Sequence, residues 1–242
     1  MRLKLISCEV MYREMCAAVA QSVNQVDIEF LSREIHDCAS IMRGTLQELV
    51  SAVDPAKYDA VLLGYGLCGN GVAGLEARSL PLVIPRAHDC ITMFLGSKER
   101  YADYFRQNSG VYFKTTGWME RSITNADIHQ LPLHTNFDQL VAKYGAENAE
   151  FLRNELENYK LKYTQFTFIE MGLEPNDSFE RKTIQDAAAR GWKFEKVRGD
   201  MRLIRRLVDG DWDEKDFLVV QRGYRVIAQY DEGILGAEPI PQ

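Results

Sequence analysis

The chain has 242 residues, 46% of them apolar and 26% charged, with a formal net charge of −6. That is enough apolar chain to bury a substantial core, as one large domain or two smaller ones, and its mixed-sign charge, without a Lys/Arg block, argues against a nucleic-acid partner. No apolar run approaches the roughly 18 residues of a membrane span, and the opening run is too short for a signal peptide, so no membrane association and a cytoplasmic location are expected.

Taken in chain order, residues 3–8 (LKLISC) read as a strand, 11–23 carry apolar residues at helical spacing, and 26–31 (VDIEFL) read as a second strand. A helix over 37–53 follows, with Asp37 or Ser40 as cap and Asp54-Pro55 as its break. Next come a strand ending near Tyr65, a glycine-rich turn, and a strand over 82–85. Such alternation favours a parallel sheet with helices on both faces, because parallel strands need crossover connections. Residues 90–106 can form one further helix and 110–114 a strand, and 137–159 are helix-like and highly charged. The second half repeats the pattern with strands over 165–170, 192–197 and 217–220 and helices over 178–190 and 200–208. The fold class is therefore α/β, a doubly wound and mostly parallel sheet built from two Rossmann-like β-α-β-α-β halves. The expected division is a cysteine-bearing half over 1–110, a connecting segment over 111–164 and a second half over 165–242.

All five cysteines lie in the first half. An odd count in a chain of this size does not resemble a disulfide framework, so reduced thiols are expected. Cys8, Cys68 and Cys90 each fall at or just beyond an apolar strand. In the common strand order 2-1-3-4, those strands are neighbours, and ligands bind outside the carboxyl ends of such strands. Neighbouring strands are about 4.8 Å apart, and two thiolates on one zinc ion must be within roughly 4.6 Å. Three thiols gathered there suggest a soft metal or an iron–sulfur cluster. Each also lies near the start of a helix, whose free N–H groups are expected to lower its pKa. The opposing consideration is that no paired Cys-x-x-Cys is present, and that free cysteine often simply packs. Cys16, within an apolar helical face, is assigned to the core. Cys38 stays open as a fourth ligand.

Polar groups surround these positions. In Gly64-Tyr65-Gly66-Leu67-Cys68-Gly69-Asn70-Gly71, four glycines let the backbone approach a ligand, with Gly66 and Gly69 as candidate cofactor contacts. The turn is neither a dinucleotide fingerprint nor a P-loop, since its glycines are offset and no Lys-Ser/Thr follows. In Arg86-Ala87-His88-Asp89-Cys90-Ile91-Thr92, Arg86 can hold an anionic substrate or pair with Glu9, and His88 can be a ligand or an acid–base group. Asp89 can cap a helix, Thr92 is a further cofactor contact, and Glu9 is a second candidate for moving protons. Thr116, Trp118, Glu170, Arg222 and Tyr224 lie at other strand ends, while His129 and His134 read as surface residues. Nucleophilic catalysis by Cys90 with His88 is a weaker alternative, because such a pair depends on loop geometry.

Ser7-Cys8-Glu9, Gly66-Leu67-Cys68-Gly69 and Arg86-Ala87-His88-Asp89-Cys90-Ile91 followed by Leu95-Gly96-Ser97 resemble the motifs of an uncharacterised prokaryotic domain-of-unknown-function family. The late run through Gly191-Trp192, Gly199-Asp200 and Trp212 to Gly223 is similar too. Members are often encoded near corrinoid-dependent methyltransferases, which implies a role in anaerobic one-carbon or cofactor metabolism. The three-thiol arrangement is similar in idea to quinolinate synthase and the diphthamide-forming enzymes, where thiols from α/β units hold a 4Fe-4S cluster with one iron open. Those enzymes have three repeated units with one cysteine each, which this chain lacks. Two expectations follow. In one, the chain is an iron–sulfur lyase or transferase acting on a small anionic substrate, with Arg86 orienting it and His88 or Glu9 moving protons. In the other, the same thiols carry zinc, nickel or a corrinoid metal for a methyltransferase system without turnover.

Overall fold

The computed structural model describes residues 1–108, 110–121, 141, 145–146, 148–150 and 162–241, with Asp37 described by its backbone alone. The helix expected over 137–159 falls mostly, and His129 and His134 wholly, outside them. The first half is built from β1 (Arg2–Cys8), α1 (Tyr12–Gln21), β2 (Gln25–Leu31), α2 (Ala39–Ala52), β3 (Ala60–Gly64), the short β4 (Glu76–Ala77) and β5 (Leu82–Pro85). Single 3-10 turns, Glu9–Met11 and Arg33–Asp37, follow β1 and β2. The strands β2-β1-β3-β5 lie side by side and parallel, as the alternation predicts. The central strands β3 and β5 are apolar on both faces, and Leu3, Leu5, Ile6, Val61, Leu62 and Leu63 are fully buried, which is what a parallel sheet covered on both sides requires, while β2, at the edge, alternates polar and apolar residues. Met15 from α1 and Met42 and Leu46 from α2 complete that core.

Then come α3 (Cys90–Leu95), α4 (Lys98–Gln107), β6 (Val111–Thr115), α5 (Thr116–Glu120), β7 (Gln165–Glu170), α6 (Ser178–Arg190), β8 (Lys193–Arg198) and α7 (Arg202–Asp209). The chain closes with β9 (Phe217–Val220), β10 (Tyr224–Ala228) and β11 (Leu235–Pro239). Strands β6-β7-β8 form a second parallel sheet, and β11-β10-β4 a small antiparallel one.

Two expectations change. The third strand of the second β-α-β-α-β unit, β9, leaves that unit and pairs antiparallel with β5, from Leu82↔Val220 to Pro85↔Phe217. There it covers the free edge of the main sheet, so a strand of the second half completes the sheet of the first. The single helix expected over 90–106 is two. Gly96 turns left-handed (φ 81°), and Ser97 caps the second piece by accepting a hydrogen bond from the Arg100 N–H. A side chain at Gly96 would sit 2.6 Å from Asp200 Cβ, and the Asp200 N–H donates to Phe94 O at 2.9 Å. The break is thus the dock for the loop after β8.

Candidate functional site

The carboxyl ends of β1, β3 and β5 meet at one sheet edge. Cys8 is the last residue of β1. Beyond β3, the Leu67 N–H donates to Ala87 O (2.8 Å) and the Cys68 N–H to His88 O (2.9 Å), so the pairing of β3 with β5 runs on past both strands and lays Cys68 along the approach to Cys90. Only glycine permits this at position 66, where a Cβ would stand 2.7 Å from Ala87 O and 2.9 Å from Asp89 N. Cys68 itself takes a left-handed φ of 45°. For a residue with a Cβ this is an uncommon, strained conformation. Cys90 opens α3, whose first turn is capped by Asp89: its Oδ1 accepts from the Ile91 and Thr92 N–H groups.

The three thiols are close enough to feel one another's charge. Burial pushes the Cys8 thiol up to about 12, with the Val10 N–H and Arg33 pulling back. Burial is also the main cause that raises Cys68 and Cys90. Asp89 adds to both, Cys8 adds to Cys68, and Cys68 and Cys8 add to Cys90. This reverses the expectation that helix starts would lower these thiols, because the backbone N–H groups aimed at the sulfurs recover less than desolvation removes. Among the described residues, no three His, Cys, Asp or Glu groups stand where they could hold a metal ion. The thiols share a neighbourhood, and their sulfurs are not drawn onto one point.

Two further groups belong to this neighbourhood. Tyr65 is 1% exposed, its hydroxyl has no hydrogen-bond partner, and after burial itself the charges that push its pKa up are Cys8, Cys68 and Glu9. Its ring lies 5.7 Å from that of His36, whose Nδ1 is 2.9 Å from Arg33 O. The Arg33 guanidinium acts on the Cys8 charge and stacks 5.0 Å over the Trp118 ring. Trp118 arrives because α5 packs against the turn after Cys8: at Gly117 a Cβ would lie 1.9 Å from Val10 O. The hydroxyls of Thr92, two residues beyond Cys90, and of Thr116, at the start of α5, are likewise buried and unpartnered.

The other sequence candidates are placed as follows. Arg86 Nε donates to Glu214 O at 2.9 Å, and its Nη1 donates to Gly233 O at 2.9 Å and to Leu235 O, so this guanidinium ties the end of β5 to the C-terminal segment and not to Glu9. Glu9 instead accepts from the Arg33 N–H at 2.9 Å and lies 3.8 Å from Arg121 Nη1. His88 is exposed, with its ring 5.8 Å from that of Tyr101, whose hydroxyl donates to Asp89 Oδ2. Gly69 has open space around it. Cys16 is half-buried in α1; Cys38 is exposed, 3.1 Å from Ser40 Oγ. Glu170 pairs with Lys196 at 3.2 Å, while Arg222 and Tyr224 are exposed where β9 turns into β10. Sequence reasoning missed Arg33 and Tyr65. The same strand-end rule that picks the cysteines would have found Arg33, two residues after β2, and Tyr65, directly after β3.

The fold and these residues define an α/β protein with three thiols, an unpartnered tyrosine hydroxyl and a stacked arginine at the carboxyl edge of its main sheet. The chain belongs to the family described as Protein of unknown function (DUF1638), which it matches over residues 30–208. Cys68 and Cys90 fall inside that span and Cys8 precedes it. No curated protein and no solved structure matches the chain.

Proposed function

We propose that the chain binds a metal or iron–sulfur centre through Cys8, Cys68 and Cys90 and acts there as an enzyme on a small anionic substrate. The observation that carries this reading is the gathering of three thiols at the ends of three adjacent parallel strands, where the charge of Cys8 acts on Cys68 and both act on Cys90, beside an unpartnered tyrosine hydroxyl. The donor set fits: thiolate sulfur is the ligand of zinc and of iron–sulfur clusters, and metal binding displaces the protons that burial holds on these thiols. A 4Fe-4S cluster is the centre this proposal favours over zinc, because three thiolates leave one of its irons open to a substrate. Held by three thiolates, such a cluster supplies an open iron as a Lewis acid or electron source.

The chain's own residues set the surroundings. Glu9 lies beside Cys8, fixed by the Arg33 main chain, where it can take or give a proton. Gly66 holds the Cys68 loop against the Cys90 loop, and the Arg86 guanidinium braces the same edge from behind through three carbonyls. Anaerobic one-carbon or cofactor metabolism, alongside a corrinoid methyltransferase system, is the setting this proposal adopts from the family resemblance.

The test is oxygen-free purification followed by assay of iron, sulfide, zinc, nickel and cobalt. Iron and sulfide with broad visible absorption are expected. Colourless zinc or nickel, or a bound corrinoid, supports a carrier in place of an enzyme, and protein free of all of them overturns the proposal.

A further inference from the structure

An anionic substrate at the thiol site needs a positive charge, and Arg86 is occupied elsewhere. We infer that Arg33 and Tyr65 form a recognition pair for a carboxylate group, and that the substrate is a small monocarboxylate. This inference rests on the site proposed above and names what it takes.

Arg33 is placed for the task by strand register. Cys8 pairs with Leu31 across β1 and β2, so the turn that begins at Arg33 leaves the sheet at the same edge. Its guanidinium is half-buried, stacked on Trp118, and within electrostatic reach of Cys8. Among the described residues no carboxylate pairs with it: the nearby Glu9 takes the Arg33 main-chain N–H and the Arg121 guanidinium instead. Seating over an aromatic ring satisfies a guanidinium's charge without using its N–H groups, which stay available to grip a carboxylate in bidentate fashion. Tyr65 brings the second donor. Its hydroxyl is buried and unpartnered, and the charges that act on it are Cys8, Cys68 and Glu9. A buried hydroxyl without a partner is costly, and a ligand oxygen would relieve it. His36 links the two, touching the Tyr65 ring and the Arg33 carbonyl.

The charge count selects the class of anion. Among the described residues of the site, Arg121 offsets Glu9, which leaves the Arg33 guanidinium, acting on Cys8, as the one positive charge still to be balanced, enough for a single negative charge and not for a phosphate dianion. A planar carboxylate matches both the charge and the two-donor geometry.

The test uses the full chain as isolated without oxygen, with acetate and propionate as probes and inorganic phosphate as the competing class. Trp118 emission reports occupancy of the stacked arginine, and Trp118→Phe identifies the signal. Saturable carboxylate binding is expected, weakened about ten-fold or more by Arg33→Gln, and several-fold by Arg33→Lys and by Tyr65→Phe, since losing one charge-assisted contact costs about a factor of ten in affinity. The conservative lysine keeps the test usable if glutamine unfolds the chain. Metal content of the same samples separates this inference from the site reading: both Arg33 variants and Tyr65→Phe retain the wild-type metal ratio. No saturable response in metal-loaded protein, affinity unchanged in both Arg33 variants and Tyr65→Phe, or tighter binding of phosphate than of either carboxylate overturns the inference and leaves the metal site standing. Carboxylate binding through Arg33 in protein that holds no metal keeps the pair and overturns the site.

Discussion

Replacing Glu14 by glutamine should stabilise the protein, and more so as the pH rises. Glu14 stands in the first turn of α1, 1% exposed, with Oε2 lacking any partner. Burial lifts its carboxyl from the ordinary 4.5 to about 7; its own backbone N–H pulls back most, and the smaller effects of Glu174 and Glu120, which raise it, and of Arg13, which lowers it, follow. Between those two values the folded chain keeps a proton that the unfolded chain has released. Stability from this group is therefore complete below pH 4.5 and is lost as the pH rises through about 7. The gap from 4.5 to about 7 corresponds to about 3 kcal/mol. Glutamine keeps the shape and the neutral state at every pH. Urea unfolding followed by circular dichroism should therefore show Glu14→Gln close to wild type near pH 4.5 and more stable by up to about 3 kcal/mol near pH 8. A difference that stays flat across this window would refute a buried, proton-holding carboxyl.

Three other substitutions test the packing that builds the site. Gly117→Ala, whose Cβ would lie 1.9 Å from Val10 O, should cost about 2 kcal/mol or more in urea melts as α5 is pushed off the turn after Cys8; a neutral result would contradict that contact. Gly96→Ala meets both a left-handed φ of 81° and Asp200, and should cost about 1–3 kcal/mol by the same measurement. Arg86→Met strips three carbonyls of their donor and should lose about 2 kcal/mol of stability while metal bound per folded molecule holds steady; metal loss in folded Arg86→Met would return Arg86 to the site.

Much of the frame was legible in the sequence because it rests on local signals. Apolar runs of strand length alternating with amphipathic stretches identify β1, β2, β3 and β5, and parallel winding then puts Cys8, Cys68 and Cys90 at one edge without further information. The partner of β9 was not legible, since its four residues, Phe217–Val220, read equally well as the end of a second unit or as cover for the open side of β5. Gly96 carries no local mark that tells a break from a tolerated helical glycine; the dock for Asp200 decides it. The polar lining was hidden for the same reason. Tyr65 becomes an unpartnered donor only because other elements bury it, and Arg33 is oriented by Trp118, which comes from α5, a helix that follows a strand of the second sheet. Helix starts promised low thiol pKa values, but whether desolvation outweighs them depends on everything packed around the sulfurs.

The central claim is that three thiols distant in the chain act as one ligand set. Its most direct test is metal and sulfide content, per folded molecule, of anaerobically prepared Cys8→Ser, Cys68→Ser and Cys90→Ser beside Cys16→Ser and Cys38→Ser. Loss of the bound centre in each of the first three and retention in the last two is the predicted result. Equal metal content in all five, or loss in only one of the first three, would contradict it.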